Sequence, residues 1–159
     1  MNTAAGRPDD EERLMQAIHA IFQERIPFNK VLGLEVVSLH HDRPEFRFEM
    51  RPDLVGNYAR GILHGGVISA VLDTTGGMVA FLCLQQKLKD RPMAERIERF
   101  ARIGTIDLRV DYLRPGVGKF FHCRGFPLRT GNKVAVARME LVNDTGDLIS
   151  VGTAAYTVS

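Results

Sequence analysis

The chain has 159 residues, 45% of them hydrophobic and 25% charged, and a formal net charge of +2. That balance suits one globular domain with a sizeable core. It gives no strong argument for nucleic acid or a membrane surface as a partner, although it leaves room for local basic patches. Cys83 and Cys123 stand in no CxxC or Cys/His spacing, so no disulfide framework is expected and a reducing cytoplasm is the expected compartment.

The opening MNTAAGRPDDEER lacks the apolar run of a signal peptide, and residues 1–8 are expected to form a flexible tail ahead of one domain over 9–159. Asp9, Asp10, Glu11 and Glu12 put acid where a helix N-terminus favours it. Leu14, Ala17, Ile18, Ile21 and Phe22 then repeat at helical spacing, which predicts an amphipathic helix over 10–25 ended by Pro27. Two strands follow, over 34–41 and 45–51. In the second, Phe46, Phe48 and Met50 alternate with Glu45, Arg47 and Glu49. His40 and His41, neighbours on the first strand, should point to opposite faces.

The segment PDLVGNYARG reads as a loop. Residues 62–84 are apolar enough to span a bilayer. They also carry His64, Asp73 and four glycines, and a mid-helix Asp is costly in lipid. A buried core helix over 64–85 is therefore expected, with no membrane span. Asp90 and Pro92 look like the cap and first residue of a short helix whose apolar side holds Ile97 and Phe100. Four strands close the chain, over 104–114, 118–129, 132–143 and 147–157, and three or four in a row imply an antiparallel meander. An antiparallel sheet with a helix on one face is an α+β architecture.

The long helix has two faces. Ile68, Leu72, Thr75, Val79 and Leu82 form an apolar stripe that should face the sheet. Gly66, Ser69, Ala70, Asp73, Gly76 and Gly77 form a stripe of small residues around one carboxylate. Such a stripe admits a ligand or a second backbone. A buried, hydrogen-bonded structural Asp at a helix contact is the plainer alternative. His64-Gly65-Gly66 opens this helix, where unpaired N–H groups carry partial positive charge and could hold an oxyanion. Gly65 and Asp73 are eight positions apart, so one helix separates them by about 12 Å. Both would need to lie about 3 Å from one reacting carbonyl, which points to Gly65 of one subunit meeting Asp73 of another.

The stretches FNKVLGLE, VGNYARGILHGGVISAVLD, GTIDLRVDYLRPG and GNKVAVARMEL, within residues 26–158, resemble the PaaI-type branch of the hotdog-fold thioesterases, and within it the YigI-like acyl-CoA thioesterases. The resemblance implies a hotdog fold, with an antiparallel sheet of five to six strands wrapped around a long central helix. It also implies a homodimer or a dimer of dimers with active sites at the subunit interface. The implied reaction is hydrolysis of medium- or long-chain fatty acyl-CoA to free acid and CoA, in fatty acid metabolism.

Residue by residue, the resemblance makes Gly65 the N–H donor to the thioester oxygen and Asp73 a general base or a nucleophile. Thr105 would place water, Asn57 would orient the reacting groups, and His64 would position neighbours or simply cap the helix. CoA belongs to the substrate, so no cofactor is implied. The five histidines show no metal-ligand spacing, so no metal is expected either. Arg114, Arg129 and Lys133, near turns of the last strands, are candidates to meet CoA phosphates, with solvated strand-end charge as the alternative. The rival functions are a non-catalytic acyl-CoA-binding hotdog module and a hotdog dehydratase or hydratase. Asp73 argues against the first, and the missing His–carboxylate motif against the second. The acidic start of the first helix argues against nucleic acid.

Overall fold

The computed structural model describes residues 8–159; the expected tail lies outside them except for Pro8, which opens the first helix. Helix α1 spans Pro8–Ala20, with Asp9, Asp10 and Glu11 in its first turn, and it buries Leu14 and Ile18. It continues as a wider π-helical turn, Ile21–Arg25, burying Ile21 and Phe22. Pro27 then does more than stop the helix. It opens a second, unexpected helix, α2 (Pro27–Leu32), at a position where a missing N–H costs nothing. Gly33, at φ 70°, closes α2 in the left-handed conformation that glycine adopts freely.

Strand β1 (Glu35–Ser38) is consequently shorter than the expected 34–41, and β2 (Glu45–Glu49) buries Phe46 and Phe48 as its alternation requires. Pairing ends at Ser38↔Glu45, so His40 and His41 lie in a turn. Their rings stack 4.8 Å apart instead of pointing to opposite faces, which corrects the strand-based expectation. The expected loop over 52–61 holds a 3-10 turn (Pro52–Leu54) and β3 (Val55–Asn57), which pairs with β4 (Ile62–Leu63).

Helix α3 spans Gly65–Lys87 and α4 spans Met93–Glu98. Pro92, extended at ψ 142°, is the cap of α4 itself, so Asp90 is not the cap and Pro92 is not the first helical residue. Four long strands follow: β5 (Gly104–Tyr112), β6 (Phe120–Thr130), β7 (Val134–Asn143) and β8 (Leu148–Thr157). The main sheet is antiparallel with order β1-β2-β6-β7-β8-β5. Strands β6, β7 and β8 form the expected meander. Strand β5 reaches the far edge and pairs with β8, because α3 and α4 carry the chain across the sheet between β2 and β5.

Helix α3 lies on one face of this sheet. Its apolar stripe, Ile68, Leu72, Thr75, Val79 and Leu82, is buried as expected, and 67% of its most apolar stretch is covered by protein. Close approach depends on small residues beneath it. A methyl group on Gly125 would come 2.3 Å from Val79 Cγ2. Farther along, Phe22, Phe81 and Phe100 pack edge-on or tilted with centroids 5.3–6.3 Å apart, closing the core around the helix.

Candidate active site

The start of α3 is held from three sides. Leu63 N–H donates to Gly116 O at 3.0 Å, and His64 N–H to Leu54 O at 2.8 Å. His64 is the N-cap: its Nδ1 accepts the Gly66 N–H at 2.8 Å. Gly66 needs to be glycine here, since a methyl would sit 2.9 Å from that nitrogen. On the third side, the Tyr112 hydroxyl donates to Gly65 O at 3.1 Å. The Gly65 N–H itself has no acceptor among the described residues. It is the first N–H of a 23-residue helix, where the backbone dipoles favour negative charge.

Asp73 is half-buried, two turns further along. The Thr105 hydroxyl donates to its Oδ1 at 2.9 Å. A β-bulge makes that contact: pairing with β8 shifts between Thr105↔Tyr156 and Asp107↔Ala155, leaving Ile106 unpaired. Asp107 Oδ1 takes up the Ala155 N–H at 3.2 Å. From β8, the Tyr156 hydroxyl shares its one proton between Asp73 O at 2.9 Å and, more weakly, Oδ1 at 3.3 Å. Burial first, and the Asp73 charge second, push that hydroxyl above the usual tyrosine range, so it stays a donor. Oδ2 has no hydrogen-bond partner among the described residues.

Tyr112 and Tyr156 were not singled out from the sequence. The one signal, and only for Tyr156, was general: a tyrosine in a buried strand must find an acceptor for its hydroxyl. Gly76 also departs from expectation. It is buried instead of lining an open stripe, because the Tyr156 hydroxyl fills the space a methyl would occupy, 2.1 Å away.

Asn57 is exposed at the end of β3, and its backbone oxygen accepts Arg60 and Gly61 N–H at 3.2 and 2.9 Å. Its neighbour Gly56 packs on His64, so within one chain Asn57 sits by the start of α3 and makes no hydrogen bond to Asp73. Arg114 donates to Leu148 O at 2.9 Å and lines a cleft of about 340 Å³ with Gly65, Ile68, Tyr112 and Leu113. It also lines an adjoining cavity of about 590 Å³ with Arg60 and Lys119. Arg129 and Lys133 line a different cavity, of about 430 Å³, at the β6–β7 turn. Arg114 bonds Ile149 and Lys133 bonds Val158, so opposite ends of β8, about 30 Å apart, separate these candidates.

Although no ligand motif is visible in the sequence, the β1–β2 turn gathers ligand atoms of His40, His41 and Asp42 within 4.8 Å of one another. The two rings are stacked at 29°.

A family description, the thioesterase superfamily, matches residues 60–150. The chain belongs to that superfamily. The match takes in His64, Gly65, Asp73, Thr105, Arg114, Arg129 and Lys133, whereas Asn57 and Tyr156 fall outside it. The chain is 42% identical to the medium/long-chain acyl-CoA thioesterase YigI of Escherichia coli (strain K12), over 92% of its own length and 95% of that protein's. Among solved structures, a Shewanella oneidensis protein related to the thioesterase superfamily is 42% identical and superposes with a TM-score of 0.90, covering 97% of this chain and 100% of the other. The phenylacetic acid degradation protein PaaI of Thermus thermophilus shares the fold at 24% identity and a TM-score of 0.64, covering 84% of this chain and all of that one. The six-stranded sheet around α3 is thus the hotdog fold of this superfamily.

Proposed function

We propose that this thioesterase-superfamily chain hydrolyses medium- and long-chain fatty acyl-CoA to free acid and CoA, at a site shared by two copies. The observation that carries the reading is Asp73, with Oδ1 tethered by Thr105 and Oδ2 left free to react. In one route Asp73 takes a proton from water as the water oxygen attacks the thioester carbonyl. The carbonyl oxygen, gaining charge, accepts the Gly65 N–H. Collapse of the tetrahedral intermediate breaks the C–S bond, the proton held by Asp73 passes to the leaving sulfur, and CoA thiol and the acid leave with the Asp73 carboxylate restored. In the other route Oδ2 attacks directly, CoA leaves, and water then opens the mixed anhydride. The chain-length class comes from the relative YigI, whose name carries it.

Eight residues of helical rise, about 12 Å, separate Gly65 from Asp73 along α3 and support a shared site, since one carbonyl cannot reach both. The free edge of β5, with Ile106 and Tyr112 about half exposed, offers a surface for a second copy. A homodimer or a dimer of dimers follows from this reading. So does a cytoplasmic setting, which two buried free thiols suit. For the CoA phosphates the reading favours Arg114, whose cleft begins at Gly65; Arg129 and Lys133 would serve only across a subunit boundary.

The test is a hydrolysis panel of short, medium, long and aromatic acyl-CoAs, with Asp73→Ala and Asp73→Asn as controls. Turnover should peak on medium to long chains and fall by about 10³ or more without the carboxylate. Wild-type turnover by a folded Asp73→Asn variant would overturn the proposal. A fully active monomer in sedimentation would overturn the shared site.

A further inference from the structure

Resting on that reading of Asp73, we infer that Tyr156 is a positioning residue that locks the reactive carboxylate so that only Oδ2 faces the substrate. Tyr156 is 1% exposed, yet its hydroxyl reaches the carbonyl and Oδ1 of the same residue, Asp73. A hydroxyl bound to both the main chain and the side chain of one residue fixes the torsions between them. With Thr105 also donating to Oδ1, that oxygen has two donors. Turning the carboxylate out of this orientation would break the Thr105 bond and the longer arm of the Tyr156 bond together.

The rest of the fold is built to hold this hydroxyl in place. Gly76, one helical turn beyond Asp73, has no side chain where the Tyr156 oxygen lies; a methyl there would be 2.1 Å from it and 2.9 Å from Met139 Sδ. Tyr156 pairs with Ala135 on one side and Thr105 on the other. The two donors to Oδ1 are therefore registered opposite each other across β5 and β8, and a shift of either strand would separate them. Neither the family match nor a local motif includes position 156. Its role comes from contact across 83 positions of sequence.

Tyr156→Phe is the test, because it keeps the ring in its packing site and removes only the oxygen. The expected result is a melting temperature within a few degrees of wild type, kcat about tenfold lower or more, and KM for acyl-CoA within about twofold. Unchanged kcat, or an effect on KM alone, overturns the inference. If Tyr156→Phe does not fold, 3-fluorotyrosine at position 156, which keeps the hydroxyl, strengthens it as a donor and adds one fluorine to the ring, should change kcat about twofold with KM fixed, and no change overturns it. Asp73→Asn is assayed alongside. Full turnover there defeats the proposed function itself, whereas an inactive Asp73→Asn with a wild-type Tyr156→Phe defeats only the role of Tyr156.

Discussion

Thr105 donates its hydroxyl to Asp73 Oδ1 across 2.9 Å, joining the edge strand β5 to the middle of α3 over 32 positions of sequence. The bulge at Ile106 is what turns Thr105 toward the helix. Removing this donor leaves the carboxylate held by Tyr156 alone. Thr105→Ala should lower kcat about tenfold or more, the scale of one hydrogen bond to a charged group. Thr105→Ser, which keeps the oxygen, should restore most of it. Steady-state kinetics of the pair checks this, and equal rates for the two variants would remove Thr105 from the site.

Gly65 can be tested by removing its N–H with proline, whose Cβ would stand at an ordinary contact distance, 3.4 Å, from Tyr112 Cε1. It is the first residue of α3, where proline is favoured and the missing N–H breaks no helical bond. His64 before it is extended, at φ −67° and ψ 137°, as a residue preceding proline requires. Gly65→Pro should thus keep the fold by circular dichroism while kcat falls roughly 10²–10³-fold, the cost of one oxyanion donor. A variant that folds and turns over normally would place the oxyanion elsewhere.

His64 caps α3 through Nδ1, so His64→Ala should cost about 1 kcal/mol in urea denaturation. Asparagine supplies a side-chain oxygen that can accept the same N–H. If capping is the whole role of His64, His64→Asn recovers both stability and turnover. Restored stability with turnover still low would show that the ring also touches the reacting groups.

Helix α3 rests on β6 at Gly125, where a methyl would meet Val79 Cγ2 at 2.3 Å and Thr75 Cγ2 at 3.2 Å. Gly125→Ala should destabilise the protein by about 1–3 kcal/mol through overpacking, read from the shift in the urea midpoint. Combining it with Val79→Ala should recover part of that loss, since the nearest clash is removed.

Burial favours the neutral thiol at both cysteines, and Cys123 is pushed up to about 12 from an ordinary 9.0. Native protein at about pH 8 should therefore resist iodoacetamide at Cys123 and react slowly at Cys83, while unfolded protein labels at both. The folded value lies above the unfolded one for an acid. Stability tied to Cys123 is thus fully present below about pH 9 and is lost as pH rises toward 12. A urea midpoint that stays flat through that window would contradict it.

The kinds of element were legible in the chain wherever periodicity was strong. The apolar stripe of α3, the alternation of Phe46 and Phe48, and the turns before β7 and β8 are local patterns, and local patterns survive folding. Helix α2 was not legible, because Pro27 signals both the end of one helix and the start of another, and only the surrounding packing selects between them. The stacking of His40 on His41 was hidden for a similar reason: strand or turn depends on where pairing with β2 stops.

Taken alone, the sequence determined that a carboxylate stands among small residues on a buried helix, with a glycine amide at the helix start and too far away to share a carbonyl with it in one chain. Tertiary structure decided that β5 lies on the edge beside β8, that Thr105 and Tyr156 converge on one oxygen of Asp73, and that Gly76 is glycine to admit a tyrosine hydroxyl. The physical reason is range. Spacings of about two and 3.6 residues are set by the backbone and can be read in a line. A hydrogen bond between residues 83 positions apart depends on strand order, bulge and close packing acting together, and no local pattern encodes it.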